Sequence, residues 1–446
     1  FYGVARGQPR FRRLPVWRKL AHLPLRMNAM IQMPEVVGDA VRSLGLSAAM
    51  RAAGVVTGAL PIPQPVLLVG PGSSARLGEA LAGFGHRRVL IVTDRVVAGL
   101  GLHHGLVKAL SAGGVEHVLF DRISADAPIP EIERGVETYR RRGCDAVVAI
   151  GGGSPMDAAK VIASCVANRK PPRKLVGYFR GLRTPEPIYA VPTTAGTGSE
   201  VTVAAVISDL EAGKKLVIAD TRLVPQMAAL DPTLMTGLPR EVTAATGMDA
   251  LTHATEAFLG HWATAQSDRM ALAAVGMIYA NLRKVCRNGR NLAAREQMAL
   301  AATYAGMAFT RANVGYVHAI AHQLGGRYHV PHGLANAILL PHVLKFLSPS
   351  VTKRLAVLAV RAGVGKEGER APALAKKFIA SVEALNRAIG IPPTIAALRE
   401  EDIPQLARDA CWEADTNYPV PRYMSPRTCE GILRKVLPAT GRRRPR

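Results

Sequence analysis

The stretch DAVVAIGGGSPMDAAKVIA, residues 145–163, constrains the fold of this chain more than any other. An apolar run of strand length is followed by three glycines and then by a segment with helical spacing. Further strand-like runs lie at residues 65–70, 88–94 and 116–120, and residues 187–200 read as a strand followed by a loop. Strands that alternate with helices predict a parallel α/β sheet covered on both faces, here within residues 61–239.

The pattern changes after about Pro239. The segments REVTAATGMDALTHATEAFLG and SDRMALAAVGMIYANLRKV have helical spacing, and segments rich in alanine, leucine and methionine continue toward the end of the chain. We therefore predict a mostly helical domain over residues 240–440. The cleft between it and the α/β domain is the expected ligand site.

The net charge of +24 is partly concentrated at the two ends of the chain. Residues 1–60, a basic extension, carry a net charge of +7, and the tail at residues 441–446 adds +4. These ends could touch nucleic acid or an anionic membrane, but we favour solvated segments because no nucleic-acid-binding motif accompanies the charge. Residues 34–53 have the spacing of an amphipathic helix, which could cover a subunit surface or pack on its own chain.

The remaining composition indicates a globular protein, since 48% of the residues are hydrophobic. The five cysteines are scattered and form no Cys-x-x-Cys pair. Reduced thiols in a cytoplasmic protein are the simplest interpretation.

The turn GGGSPMD, residues 151–157, is a candidate phosphate site. Three glycines allow a close backbone approach to a phosphate, Ser154 is suited to cap the following helix, and a helix N-terminus attracts anions. A tight strand–helix turn without a ligand is the alternative. The loop PTTAGTGSE, residues 192–200, could line a cofactor with hydroxyl groups or be a plain surface loop.

Asp94 ends the apolar run RVLIVTD. A carboxylate at the end of a strand can accept hydrogen bonds from a ribose hydroxyl and would repel a 2′-phosphate, which favours NAD over NADP. An ordinary surface or helix-capping aspartate explains the sequence equally well.

Two pairs of residues with i,i+4 spacing are candidate metal ligands. Asp249 and His253 would share one face of a helix, as would His318 and His322, and His332 follows after a turn rich in glycine and proline. One carboxylate with two or three imidazoles suits a divalent first-row metal such as Fe(II) or Zn(II). A single histidine pair is more often structural, and His329 has no spacing partner.

Taken together, these motifs resemble the iron-containing, or group III, alcohol dehydrogenase family. The resemblance rests on GGGSPMDAAK, VPTTAGTGSE, ALDPTLM, TGMDALTHATEAF, HAIAHQLGG and VPHGLANAILLPHVL, in the order typical of the family. It implies a fold similar to glycerol dehydrogenase and dehydroquinate synthase, with a nucleotide-binding α/β domain before a helical domain. It also implies an NAD-dependent alcohol dehydrogenase that forms a dimer or a larger homo-oligomer.

The resemblance further implies roles for individual residues. His322 would lie near the substrate and assist proton transfer rather than bind the metal. The implied metal ligands are Asp249, His253, His318 and His332. The implied cofactor contacts are Asp94, Gly152, Gly153, Ser154, Asp157, Thr193, Thr194, Thr197, Ser199 and Lys215.

The chain departs from the family pattern at two places. Ala127-Pro128 stands where many members have Asn-Pro, so a hydrogen bond to the cofactor could be missing. Gln266 stands where many members have proline, which concerns the local loop rather than the chemistry.

Two other functions stay open at this point. A lyase of the dehydroquinate synthase type would share the fold, the metal and NAD, but such enzymes need basic residues to grip a phosphorylated substrate, and these are scarce beside the histidine motifs. A basic scaffold or nucleic-acid-binding protein without catalysis is the second alternative, and the intact Asp/His set argues against it.

Overall fold

The computed structural model describes residues 60–212 and 214–439, together with Met50, Gly54 and Gly58. Apart from Met50, the expected amphipathic helix at residues 34–53 lies outside the described residues, as does the basic tail. Where the extension is described, it contacts the helical part of its own chain. The indole of Trp262 donates to the carbonyl of Met50 at 2.7 Å, and Arg311 donates to the carbonyls of Gly58 and Leu60.

The first half of the described chain alternates between strands and helices. The strands are β1 (Val66–Val69), β2 (Arg88–Val92), β3 (Glu116–Phe120), β4 (Ala146–Gly151), β5 (Gly177–Tyr178), β6 (Ile188–Pro192), β7 (Ala204–Asp209), β8 (Lys214–Ala219) and β9 (Met227–Leu230). The α-helices among them are α1 (Ser73–Gly83), α2 (Arg95–Gly99), α3 (His104–Ala112), α4 (Ile129–Arg142) and α5 (Gly153–Asn168).

Six of these strands form one parallel sheet in the order β1-β9-β6-β4-β2-β3. Successive residues of β2 show that both faces are covered, since Val89 and Ile91 pack in the core that includes α1 and α3. Leu90 and Val92 point to the other face and pack in the core that includes α4 and α5. The predicted parallel α/β sheet is confirmed, and its apolar strands are the result of double-sided burial.

A second, smaller sheet was not predicted from the sequence. Strands β7 and β8 form an antiparallel hairpin, and β5 pairs parallel to β8. Strand β5 has only two residues, and the first residues of β8 are partly exposed, so neither shows the continuous apolar run of the central strands.

After β9 the described chain is all-helical, as predicted. The helices are α6 (Arg240–Leu259), α7 (Ala265–Arg287), α8 (Leu292–Ala312), α9 (Tyr316–Tyr328), α10 (His332–Arg361), α11 (Ala371–Ile389), α12 (Ile403–Asn417) and α13 (Pro426–Lys435). Helix α7 begins with a capping box between Thr264 and Ser267, so Gln266 in place of proline leaves a well-formed helix start.

Helix α10 is the one described helix that is long and apolar enough to cross a membrane. However, 61% of its most apolar window is buried inside the fold. The helix contains Pro341 and Pro349 and departs from helical geometry at Val351. It is therefore a core helix around which the other helices pack.

Two helix ends share a left-handed backbone but differ in residue type. Helix α4 ends at Gly143 with φ 64°, whereas α5 ends at the exposed Arg169 with φ 52°. Glycine adopts this conformation freely, while a side chain is strained in it by about 1–2 kcal/mol. A Cβ on Gly143 would meet only the guanidinium of Arg88, at 3.7 Å, so substitution there tests backbone strain alone.

We expect Arg169→Gly to raise the free energy of unfolding by about 1 kcal/mol and Gly143→Ala to lower it by about 1 kcal/mol, because only the first change relieves backbone strain. Urea unfolding monitored by circular dichroism would measure both. Ala380→Gly, at an exposed position inside α11, is the control and should cost about 1 kcal/mol. If Arg169→Gly lost as much stability as the control, the left-handed backbone at Arg169 would not be strained.

Candidate metal and cofactor site

Most of the predicted cofactor residues follow three neighbouring strands of the parallel sheet. Ala149 of β4 pairs with Val92 of β2, and Gly151 at the end of β4 pairs with Pro192 at the end of β6. Because the carboxyl ends of parallel strands share one edge, the residues after β2, β4 and β6 lie side by side. They are Asp94, the GGGS turn and the TTAGTGS loop, and this edge is where open α/β sheets bind ligands.

The GGGS turn (the first loop) and residues 192–200 (the second loop) approach each other closely. A Cβ on Gly152 would lie 3.4 Å from the hydroxyl of Thr194, and one on Gly153 would lie 3.1 Å from a methyl of Thr197. Thr193 donates its N–H to the carbonyl of Gly151. A side chain on Gly153 would therefore crowd Thr197, whereas one on Gly152 would be in ordinary van der Waals contact with Thr194.

The helix after the GGGS turn begins differently from the prediction. Helix α5 starts at Gly153 with Gly152 as N-cap, and no side chain caps it. The predicted Ser154 cap is wrong, because the Ser154 hydroxyl instead accepts a hydrogen bond from the N–H of Asp126 at 3.0 Å. A helix N-terminus without a side-chain cap can offer its N–H groups to an anion.

Asp94 caps helix α2. One of its carboxylate oxygens accepts a hydrogen bond from the N–H of Val97 at 2.8 Å. The capping alternative is thus present in the structure, and a ribose contact by the same carboxylate stays a prediction.

Asp157 and Ser199 bond to each other. The Ser199 hydroxyl donates to Asp157 at 2.7 Å, and the second oxygen of Asp157 accepts from the N–H of Val206. This hydrogen bond holds the second loop against α5. The contact of both residues with a cofactor stays a prediction.

Lys160 is a buried cation that sequence reasoning did not assign. Its three N–H groups are shared among four acceptors at 2.9–3.0 Å, which are the Ser199 hydroxyl, both oxygens of Thr202 and the carbonyl of Ala204. Burial lowers the pKa of Lys160 to about 8, although Asp157 and Glu200 oppose the shift. The residue clamps the second loop to the helix that follows the first.

Ala127-Pro128 lies beside the first loop. Ala127 is buried with φ 47°, a left-handed conformation that asparagine tolerates better than alanine. The preceding residue, Asp126, forms an ion pair with Lys215 at an N–O distance of 2.8 Å. Lys215 in turn lies next to Gly325 of α9, so it bridges the cofactor edge and the helical part.

The second loop also packs on the helical part. A Cβ on Gly196 would lie 2.8 Å from Thr246 of α6, and one on Gly198 would lie 2.7 Å from Gly306 of α8. The hydroxyl of Thr303 in α8 donates to the buried carboxylate of Glu200 at 2.7 Å. Two glycines and one buried hydrogen bond therefore hold the loop against α6 and α8.

Three helices bring the four predicted metal ligands together. Asp249 and His253 lie on α6, His318 on α9 and His332 at the start of α10, and one ligand atom from each lies within 4.8 Å of all the others. A Cβ on Gly333 would lie 2.4 Å from the carbonyl oxygen of Ala245. Only glycine after His332 lets α10 begin this close to α6.

The donor set fits one divalent ion. Two ligands about 2.1 Å from an ion can be at most about 4.2 Å apart, so small side-chain rotations would bring all four atoms onto one centre. Burial lowers the pKa of all three imidazoles, that of His332 to about 3, which keeps them neutral as metal ligands require. The Nδ1 atom of His253 is buried without a hydrogen-bond partner, as expected of an atom placed to bind an ion.

Asn336 contacts three of the four ligand atoms. Its amide nitrogen lies 2.7 Å from Asp249 Oδ1, 3.2 Å from His318 Nε2 and 3.1 Å from His332 Nε2. These three atoms therefore point toward a common centre. Sequence reasoning missed Asn336, although it follows His332 by one helical turn.

Glu256 fixes the orientation of His318 and was also missed. One oxygen lies 2.6 Å from His318 Nδ1 and accepts the N–H of Gly315, and the other accepts the N–H of Val317. When Glu256 is ionised it can only accept, so it holds His318 with the proton on Nδ1 and with Nε2 toward Asp249 and His332. Burial raises the pKa of Glu256 to about 7, opposed by these backbone N–H groups.

His322 lies beside the cluster and not within the set of four. Its ring stacks on that of His332 at a centroid distance of 5.3 Å, and its Nδ1 lies 2.6 Å from Glu413 of α12. His329 is the C-cap of α9, also outside the set. Phe309 stacks on His253 at 4.3 Å and gives the cluster an apolar neighbour.

Comparison with known proteins matches both halves of the chain to one family. Residues 64–232 match the model of iron-containing alcohol dehydrogenases, and residues 243–437 match the C-terminal model of the same family. The chain is 37% identical over 352 residues to the NAD-dependent methanol dehydrogenase of Bacillus methanolicus, covering 78% of this chain and 91% of that one.

Solved structures show the same similarity. A 1,3-propanediol oxidoreductase superposes with a TM-score of 0.82 at 36% identity, covering 85% of this chain and all of that one. The sulfoacetaldehyde reductase of Bifidobacterium kashiwanohense in complex with NAD+ superposes with a TM-score of 0.76 at 27% identity, covering 85% and 99% of the two chains.

We expect Glu256→Gln to weaken binding of a divalent ion about 10–100-fold, because the amide cannot accept from His318 and from both backbone N–H groups at once. Competition with a fluorescent chelator would measure the affinity. Glu241→Gln, at an exposed position of the same helix, should leave the affinity unchanged. Equal affinities in the two variants would show that Glu256 does not support the site.

The lowered pKa of Lys160 predicts a pH dependence of stability. The pKa of Lys160 is about 8 in the folded chain and about 10.4 in the unfolded chain. Because the unfolded chain binds more protons between these values, the free energy of unfolding should increase as the pH rises from about 8 to about 10.4. Urea unfolding at pH 7.5 and 9.5 should show a more positive pH slope for the unaltered chain than for Lys160→Met. Identical slopes would exclude a lowered pKa.

Proposed function

This chain belongs to the iron-containing alcohol dehydrogenase family, and we propose from that premise that an alcohol and NAD meet beside the four-residue cluster. The enzyme interconverts an alcohol and its aldehyde or ketone by hydride transfer. The observation that carries the proposal is that Asp249, His253, His318 and His332 converge beside a loop, residues 192–200, that leaves the edge where the sheet would bind a cofactor.

Asp249, His253, His318 and His332 would hold the divalent ion. Such an ion acts as a Lewis acid that lowers the pKa of an alcohol and stabilises developing negative charge on its oxygen. We propose Fe(II), with Zn(II) as the alternative, because three imidazoles and one carboxylate suit both. Glu256 and Asn336 keep the donor atoms in place.

The sheet edge would hold NAD. The N–H groups at the start of α5 are suited to the pyrophosphate, and the hydroxyls of the second loop can line the nicotinamide side. Asp94 favours NAD over NADP because its carboxylate would repel a 2′-phosphate. The remaining cofactor contacts are proposed at Gly152, Gly153, Ser154, Asp157, Thr193, Thr194, Thr197, Ser199 and Lys215.

His322 would move the proton. It is adjacent to the cluster but free of the set of four, and its side chain is 22% exposed, so it can exchange protons with solvent. A general base needs hydrogen-bond reach of the group that it deprotonates, and the position of His322 beside His332 supports this role.

Several finer properties belong to the same proposal. The domains divide near residue 240, and the enzyme forms a dimer or a larger homo-oligomer. The substrate is a small alcohol or aldehyde, and relatives named for methanol and for 1,3-propanediol show that the family does not fix which one. Buried, unpaired cysteines agree with a cytoplasmic enzyme. The similarities do not favour the lyase or the nucleic-acid-binding alternative.

We expect His253→Ala to abolish alcohol-dependent NAD reduction while the chain stays folded, because one of the four proposed metal ligands is lost. Metal content after anaerobic purification, circular dichroism and NADH formation with a panel of short alcohols would be measured together. His117→Ala, on the exposed edge strand β3, is the control and should retain both metal and activity. Unchanged turnover by His253→Ala without bound metal would refute the proposed site.

A further inference from the structure

Glu413 of α12 accepts three side-chain hydrogen bonds, from His322, Gln323 and Tyr418. One carboxylate oxygen lies 2.6 Å from His322 Nδ1 and accepts the hydroxyl of Tyr418 at 2.6 Å. The other oxygen accepts the side-chain amide of Gln323 at 2.7 Å. The carboxylate thus joins two neighbouring residues of α9 to the end of α12.

This network decides which nitrogen of His322 carries a proton. An ionised carboxylate only accepts, so the proton lies on Nδ1 and the lone pair on Nε2. Burial beside Glu413 raises the pKa of Tyr418 well above its ordinary value, so this hydroxyl stays a donor to the same oxygen. The ring of His322 is fixed parallel to that of His332, with an interplanar angle of 17°.

We propose that Glu413 is the positioning residue that makes His322 a proton acceptor, an inference that rests on the proposed alcohol dehydrogenase function. In alcohol oxidation the hydroxyl proton passes to Nε2 of His322, while the hydride leaves the carbinol carbon for NAD+ and the C–O bond becomes a carbonyl. His322 is then an imidazolium whose Nδ1–H donates to Glu413. Its Nε2 proton is released to solvent, and aldehyde reduction is the reverse.

The negative charge of Glu413 serves two purposes in this step. It excludes the tautomer with a proton on Nε2, which could not accept another. It also stabilises the imidazolium after transfer, since a charge-assisted hydrogen bond is stronger than a neutral one. If Glu413 only linked α9 to α12, neither its charge nor the presence of His322 would matter for the rate of alcohol oxidation. This difference can be tested.

The decisive experiment is a double-mutant cycle on the metal-loaded enzyme with Glu413→Gln, His322→Ala and the double variant. We expect Glu413→Gln to lower kcat about 10²-fold with KM, metal content and NADH affinity changed less than about 2-fold, because a general base contributes about 10²–10⁴-fold. In the His322→Ala background the same change should alter kcat less than about 2-fold. Glu413→Asp, which keeps the charge, should recover part of the rate.

Asp409→Asn is the matched control, since this exposed carboxylate lies one turn earlier on α12 and bonds only locally with Gln405. It should leave kcat unchanged. Tyr418→Phe is the second variant, needed if Glu413→Gln does not fold. It keeps the carboxylate but removes one donor, and it should lower kcat several-fold only while His322 is present.

Selective ¹⁵N-histidine labelling gives a readout that does not depend on turnover. The signal lost in His322→Ala should show a protonated Nδ1 and an unprotonated Nε2 in the unaltered chain. A proton on Nε2, or an equal loss of kcat from Glu413→Gln with and without His322, would overturn the role of Glu413. If the unaltered, metal-loaded chain turned over no alcohol, the proposed function and this inference would both fall.

Discussion

Burial of the Asp249 carboxylate among three imidazoles is the constraint on which the helical half depends. Asp249 is 2% exposed, and a buried charge is tolerated only when it is paired or hydrogen-bonded. The amide of Asn336 supplies one donor, and a divalent ion would supply the compensating charge. Helices α6, α9 and α10 must therefore meet at one point, and Gly333 permits the close approach of α10 to α6.

The architecture was largely predictable because burial leaves a plain pattern in the sequence. Strand β4 is apolar throughout because both faces of the central sheet are covered. The Asp249/His253 and His318/His322 spacings lie on helices that meet at the four-residue cluster. Strand β8 of the hairpin lacked such a pattern, because its first residues are partly exposed. The Ser154 cap failed because the N–H of Asp126, remote in sequence, competes for the same hydroxyl.

Other functional contacts could not be read from spacing because they join distant parts of the chain. Glu256 follows His253 by three residues, but its importance comes from Gly315, Val317 and His318, which only the fold brings near. Glu413 lies 91 residues from its partner His322. A lone glutamate on a helix gives no sign of such a partner.

The loop at residues 192–200 explains how two halves with different chemistry can act on one substrate. Its first residues leave the sheet beside the GGGS turn, whereas Gly196 and Gly198 press on α6 and α8 without space for a side chain. Lys160 fixes the same loop from the α/β side, and Thr303 fixes it through Glu200 from the helical side. Hydride transfer needs near contact between the reactants, so a short loop tied to both halves is better suited than a flexible connection.

The two histidines one turn apart on α9 show how environment separates roles. His318 and its carboxylate partner Glu256 are each 3% exposed, and backbone N–H groups satisfy that carboxylate. His322 and Glu413 are 22% and 19% exposed, and side chains complete their network. Both imidazoles are held by a carboxylate at Nδ1, which leaves Nε2 with a lone pair. In the buried case that lone pair lies beside the amide of Asn336 and the other ligand atoms, away from solvent, where it can bind an ion. In the exposed case it can take a proton and release it, so the division of labour that we propose follows from burial rather than from residue type.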